Sequence, residues 1–102
     1  MIKVTFTNDA PEKIEAQIKG ELNSDAIDSF NEQIAPLFDN AGREILLDLA
    51  ALEFISSAGL RAILQINKKA QANGGGVTLT NVKPEIKQVL DLVGFANFMK
   101  VC

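Results

Sequence analysis

Apolar residues alternate at Ile2, Val4 and Phe6 and again at Ile14, Ala16 and Ile18, with Asn8-Asp9-Ala10-Pro11 supplying turn chemistry between the two runs. An N-terminal β-hairpin is predicted. After Gly20-Glu21-Leu22-Asn23 the period changes. Ile27, Phe30, Ile34, Leu37 and Phe38 recur at three and four residues, which predicts an amphipathic helix with Asn23, Ser24 or Asp25 as N-cap. Pro36 removes a donor and crowds the preceding turn, so a kink or an early stop is expected there.

The run Ile45-Leu46-Leu47-Asp48-Leu49 is nearly continuous in apolar residues, as in a central strand covered on both faces. Leu60, Ile63, Leu64, Asn67 and Ala70 then trace a second helical face that stops at Asn73-Gly74-Gly75-Gly76. A strand over Val77-Thr78-Leu79-Thr80 follows. Pro84 suits a first helical turn, and Ile86, Val89, Leu90 and Val93 space a third helix that Gly94 ends. A last strand is expected from Phe98 to Val101. The phenylalanines at 30, 38, 95 and 98 fall on apolar faces and read as core. The order is two strands, a helix, a strand, a helix, a strand, a helix and a strand. That order predicts one α/β domain over residues 1–102, with a mixed, mostly parallel sheet, an N-terminal hairpin and right-handed crossover helices.

Composition narrows the chemistry. With 102 residues and 47% hydrophobic content, the chain can bury a core without disulfides or metal. It contains no histidine and one cysteine, which excludes Ser-His-Asp and Cys-His catalysis and the usual zinc sites. No metal and no cofactor are expected. Cys102 is the last residue and reads as an incidental thiol in a reducing compartment. Ten basic against thirteen acidic residues give a net charge of −3, and the only basic doublet is Lys68-Lys69. That balance offers no footprint for nucleic acid. No signal-peptide pattern and no run of apolar residues long enough to span a bilayer is present, so a cytoplasmic, soluble protein without membrane contact is expected; the expected oligomeric state is a monomer.

The junction between the buried strand and the second helix holds the most information. Leu52-Glu53-Phe54-Ile55-Ser56-Ser57-Ala58-Gly59-Leu60-Arg61 is small and hydroxylated where ordinary helix formers would serve. Capping accounts for part of it: Ser56 or Ser57 satisfies an orphan amide, and Ala58 and Gly59 let the helix approach the sheet. Glycine in a first turn costs about 1 kcal/mol relative to alanine, more than a cap requires, so something should come close there. A serine at a helix N-terminus is also well placed to carry a phosphate, because unpaired amides and the helix dipole stabilise the dianion. A phosphoserine adds about −1.5 to −2 charges, enough to spoil a fitted contact.

These residues resemble a known family. Gly20-Glu21-Leu22-Asn23, the strand from Ile45 to Leu49, Phe54-Ile55-Ser56-Ser57-Ala58-Gly59-Leu60 and a glycine-rich turn before the next strand are together similar to the STAS domain of bacterial anti-sigma factor antagonists. The resemblance spans nearly the whole chain. It implies binding to an anti-sigma factor that is also a serine kinase, with release of a sigma factor. Phosphorylation by that kinase would end the interaction, and a PP2C-type phosphatase would restore it. The usual motif reads Asp-Ser-Ser/Thr-Gly-Leu with the first hydroxyl residue as acceptor. Ser56 thus replaces the aspartate, Ser57 matches the acceptor, Ala58 replaces the second hydroxyl, and Gly59 and Leu60 match. Arg61 fills a place often held by glycine. Asn23 also stands where the family often has an aspartate, so both nearby carboxylates are replaced. The implied partner face comprises Asn23, Ser24, Ser56, Ser57, Ala58, Gly59, Leu60 and Arg61.

Other classes fit less well. A constitutive scaffold or interaction module with the same fold is the alternative, distinguished by lack of modification at Ser57. An enzyme using Ser56 or Ser57 with Lys68 as base would have to bridge about three helical turns, roughly 16 Å. A pantetheine carrier would be a helical bundle, against the strand pattern. Gly74-Gly75-Gly76 lacks the lysine and hydroxyl of a phosphate loop and reads as a turn. Asp48 marks the solvent-facing end of its strand or supports Ser57.

Overall fold

A computed structural model describes residues 2–38 and 43–102. Strands β1 (Lys3–Asp9) and β2 (Lys13–Leu22) form the expected antiparallel hairpin, with a bulge between Phe6 and Asn8. The chain continues through a 3-10 turn (Ser24–Ala26), helix α1 (Ile27–Gln33), a second 3-10 turn (Ala35–Phe38), β3 (Glu44–Asp48), β4 (Leu52–Ile55) and α2 (Ser57–Ala72). It ends with β5 (Gly76–Thr80), α3 (Pro84–Leu92), a 3-10 turn (Phe95–Asn97) and β6 (Lys100–Val101). The mixed sheet has six strands in the order β1-β2-β3-β5-β6, with β4 paired to β2 alone. All pairs beyond the hairpin are parallel.

The early stop at Pro36 is borne out, since α1 ends at Gln33 and Pro36 sits in the tighter 3-10 turn. Gly94 adopts a left-handed conformation at φ 75° and ends α3, as its position predicts. Four expectations need correction. The strand β4 was not anticipated, because its buried residues, Leu52 and Ile55, are three apart and do not alternate. The last strand is shorter than Phe98 to Val101: Phe98 closes the 3-10 turn instead. Phe98 and Val93 are about half exposed and are not core, although Phe30 and Phe95 are buried; the side chain of Phe38 lies outside the described residues. Finally, β3 is central but not covered on both faces.

The reason lies in the sheet's two faces. Ile14, Ala16, Ile18, Ile45, Leu47, Val77 and Leu79 are buried on one side, while Lys13, Glu15, Gln17, Glu44, Leu46, Asp48, Thr78 and Thr80 on the other retain solvent contact. Helices therefore pack on one face only. Ile63, Ile66 and Ala70 of α2 and Ile86 and Leu90 of α3 bury their apolar stripes in the same core as these strand residues. Asp48 lies on the open face, where its Oδ1 accepts from the Ala50 amide at 2.9 Å and shapes the turn into β4.

At the other end of the sheet, buried Arg43 holds the hairpin turn. Its guanidinium donates to the Asp9 carboxylate, to the Ala10 carbonyl at 3.3 Å and to the Pro36 carbonyl at 3.0 Å. A planar fork with several donors suits this three-way tie better than a lysine would.

Candidate functional site

Strand β2 is long enough to serve two partners in succession. Its first half pairs with β3, and its last residues pair with β4 in the register Gly20 to Leu52, Glu21 to Phe54 and Leu22 to Ile55. Glu53 is thereby left over as an extra residue, a bulge that re-aims the side chain after it. Phe54 is turned outward and stands 47% exposed, next to exposed Glu21 and Glu53. Sequence reasoning missed this exposure; the three-residue spacing of Leu52 and Ile55 was the available signal.

Because Leu22 and Ile55 are register partners, the residues that follow them, Asn23 and Ser56, begin adjacent turns. Asn23 caps the 3-10 turn, its Oδ1 accepting from the Ala26 amide at 3.1 Å. Ser56 caps α2, its Oγ accepting from the Gly59 amide at 3.2 Å. The same hydroxyl lies 3.3 Å from the Leu22 carbonyl, to which it donates, and the Ser56 amide donates to that carbonyl at 2.9 Å. Of the two serines offered as caps by the sequence, Ser56 does the work.

Gly59 explains why the junction is so small. A Cβ at this position would lie 2.5 Å from the Leu22 carbonyl oxygen and 2.8 Å from the Leu22 Cγ, so only glycine lets the first turn of α2 rest on the end of β2. The close neighbour that glycine anticipates is therefore the protein's own sheet. Leu60 is buried in the core beside it. Gly59 and Leu60 thus shape the site from beneath, and Ala58 is half-buried between them and solvent.

The surface itself belongs to the remaining residues. Ser57 is the first residue of α2 and is exposed; Ser24 and Arg61 are exposed as well, while Asn23 and Ser56 are half-buried. Beside them lies a cavity of about 250 Å³ lined by Ile2, Glu21, Asn23, Asp25, Ala26 and Ser29. A larger cavity, about 400 Å³, lies at the other end of α2 around Asn67, Gln71 and Gly74–Gly76, away from these residues. Ser57 opens the first turn of α2, and the positive end of a helix is a setting in which an added anion is stabilised. Lys68 falls on α2 three turns along, with no contact to either serine. Among the described residues no helix is long and apolar enough to cross a membrane.

Comparison with known proteins agrees with this geometry. The STAS domain family model matches residues 5–102. A Bordetella bronchiseptica protein named as a candidate anti-sigma factor antagonist, BtrV, is 33% identical over 86 residues, covering 84% of this chain and 74% of that protein. The anti-sigma factor antagonist SpoIIAA in its unphosphorylated form superposes with a TM-score of 0.78 at 19% identity, over 98% of this chain and 88% of that one. The phosphorylated form of SpoIIAA, from Bacillus, superposes with a TM-score of 0.72 at 19% identity, over 98% of this chain and 91% of that one.

Proposed function

The chain belongs to the STAS domain family, and on that premise we propose that it is an anti-sigma factor antagonist switched at Ser57. Residues 1–102 act as one STAS unit, a cytoplasmic monomer that binds and does not catalyse. It captures an anti-sigma factor serine kinase and so frees the sigma factor. The kinase then transfers the γ-phosphoryl of ATP to the Ser57 hydroxyl: the new oxygen–phosphorus bond forms as the bond to ADP breaks, and the hydroxyl proton passes to a base on the kinase. A PP2C-type phosphatase hydrolyses the ester, returning serine and inorganic phosphate.

The single observation that carries this reading is the division of labour between adjacent serines. Ser56 is engaged with Leu22 and Gly59, whereas Ser57 is exposed at the first helical position and free of structural duty. A phosphate there leaves the cap and the core in place, so its effect falls on whatever docks. The proposed docking face is Asn23, Ser24, Ser56, Ser57, Ala58 and Arg61, held up from below by Gly59 and Leu60. The name of the BtrV relative and the existence of SpoIIAA in a phosphorylated form support the same reading.

The test is an affinity series with the purified anti-sigma factor kinase. Binding should fall from wild type through Ser57→Asp to the phosphorylated protein, because aspartate supplies one charge where the phosphate supplies about two and a third oxygen. Equal affinities across the three forms would reject the switch. That result would instead favour a scaffold module, the second reading, to which the uncharged Asn23 and Ser56 in place of the usual aspartates lend weight.

A further inference from the structure

Arg61 follows Ser57 by four residues, so the two stand one turn apart on the same face of α2. Both are exposed. Side chains on a helix lean toward its N-terminus, which carries the long arginine stem back over the first turn, toward the serine. Among the described residues the ion pairs join Lys13 to Glu15 and Arg43 to Asp9, so the Arg61 guanidinium engages no carboxylate. An arginine without a carboxylate partner therefore stands one helical turn from the hydroxyl that the proposed kinase would modify, within the usual reach of an i to i+4 pair.

We propose that Arg61 is a built-in counter-ion for phosphate on Ser57, closing a charge-assisted i to i+4 pair across the first turn of α2. This inference rests on Ser57 being the modified residue. Arginine matches phosphate oxygens with two parallel donors, whereas lysine offers a point charge, so the pair has a preferred geometry. The pair adds to the favourable field that the helix N-terminus offers an anion.

The consequence for the switch is twofold. In the unmodified protein Arg61 presents an exposed cation on the proposed docking face. Phosphorylation adds negative charge and also draws that cation into an internal pair, so the partner loses a donor at the moment it meets new repulsion. Arg61 is thus a positioning residue for the phosphate and a specificity element of the unmodified face.

The test uses the full chain carrying phosphoserine at position 57, installed by genetic encoding so that no kinase is required, with and without Arg61→Gln. Thermal unfolding of the four proteins forms a double-mutant cycle. Phosphate should raise Tm by roughly 2–4 °C more with Arg61 than with glutamine, the size expected for one exposed pair in a domain of this length. About 1 M salt should remove most of that excess, and Arg61→Lys should retain only part of it. The Arg61 Nε–H resonance should shift on phosphorylation, a readout that general stabilisation of the helix would not move. Equal Tm increments in both backgrounds, with an unshifted Nε–H signal, would overturn the proposal. If the installed phosphate couples to Arg61 while the purified anti-sigma factor kinase leaves Ser57 untouched, the functional reading fails and the pairing stands.

Discussion

Helices α2 and α3 both follow parallel strands, yet they start in opposite ways. At α3 the N-cap is Lys83, which makes no side-chain cap bond, and Pro84 opens the helix with its fixed φ. At α2 the cap is Ser56, bonded to Gly59 ahead of it and to Leu22 across the sheet, and a glycine brings the turn down onto β2. The first arrangement asks nothing of its surroundings. The second is tied from two sides, so the next hydroxyl, Ser57, sits on a rigid platform without contributing to it. A fold alone is satisfied by the α3 solution, and the extra constraint at α2 sets that junction apart as the proposed working surface.

The contrast is broken most severely at Gly59. Alanine normally stabilises a helix relative to glycine by about 1 kcal/mol, but here its Cβ would meet the Leu22 carbonyl at 2.5 Å. Gly59→Ala should therefore destabilise by about 2 kcal/mol, as overpacked sites do. Chemical denaturation checks the sign; a stabilised variant would mean that α2 does not rest on β2 as described.

Next in size is the cap. Ser56→Ala should cost about 1 kcal/mol, lowering Tm by roughly 4–8 °C in a domain of this length. Ser56→Asn, which retains an acceptor, should recover part of the loss. At α3 the corresponding change is smaller. Pro84→Ala should cost only about 0.4–1 kcal/mol, mostly through the greater freedom of the unfolded chain, and should leave amide exchange in α2 unaffected.

The smallest effect on stability falls on the residue of greatest interest. Ser57→Ala should change stability by no more than about 0.5 kcal/mol, as expected for an exposed position without bonds. Its unfolding midpoint, set beside that of Ser56→Ala, reads the division of labour directly. Comparable losses from the two substitutions would show that the serines share the cap.

Much of this contrast is legible in the residues. Pro84, Gly94 and the glycines after Asn73 act through their own backbone preferences, so they announce helix ends without tertiary information. The hairpin and the three helices follow from periodicity for the same reason. What stayed hidden depends on register. Strand β4 is two separated apolar residues until β2 pairs with it, and the bulge at Glu53 that exposes Phe54 exists only in that pairing. Leu46 belongs to a run that reads as buried on both faces, but helices cover one face only, a fact that periodicity within one strand does not carry. Phe98 looks like core by type, and it is exposed because the chain turns just before the two-residue β6. At the site, the motif gave Ser56, Ser57 and Gly59, while the reason for Gly59 waited for Leu22, which is remote in sequence and adjacent in space.

The central claim is that modification is written on Ser57 and read as loss of binding. The most direct measurement incubates the protein with the purified anti-sigma factor kinase and ATP, maps the product by peptide mass spectrometry, and follows the complex by titration. One phosphate is expected, on Ser57, with none on Ser57→Ala, which should continue to bind the kinase under conditions where the wild type is released. Phosphate on Ser56 in place of Ser57, or a phosphorylated wild type that binds as tightly as before, would contradict the account.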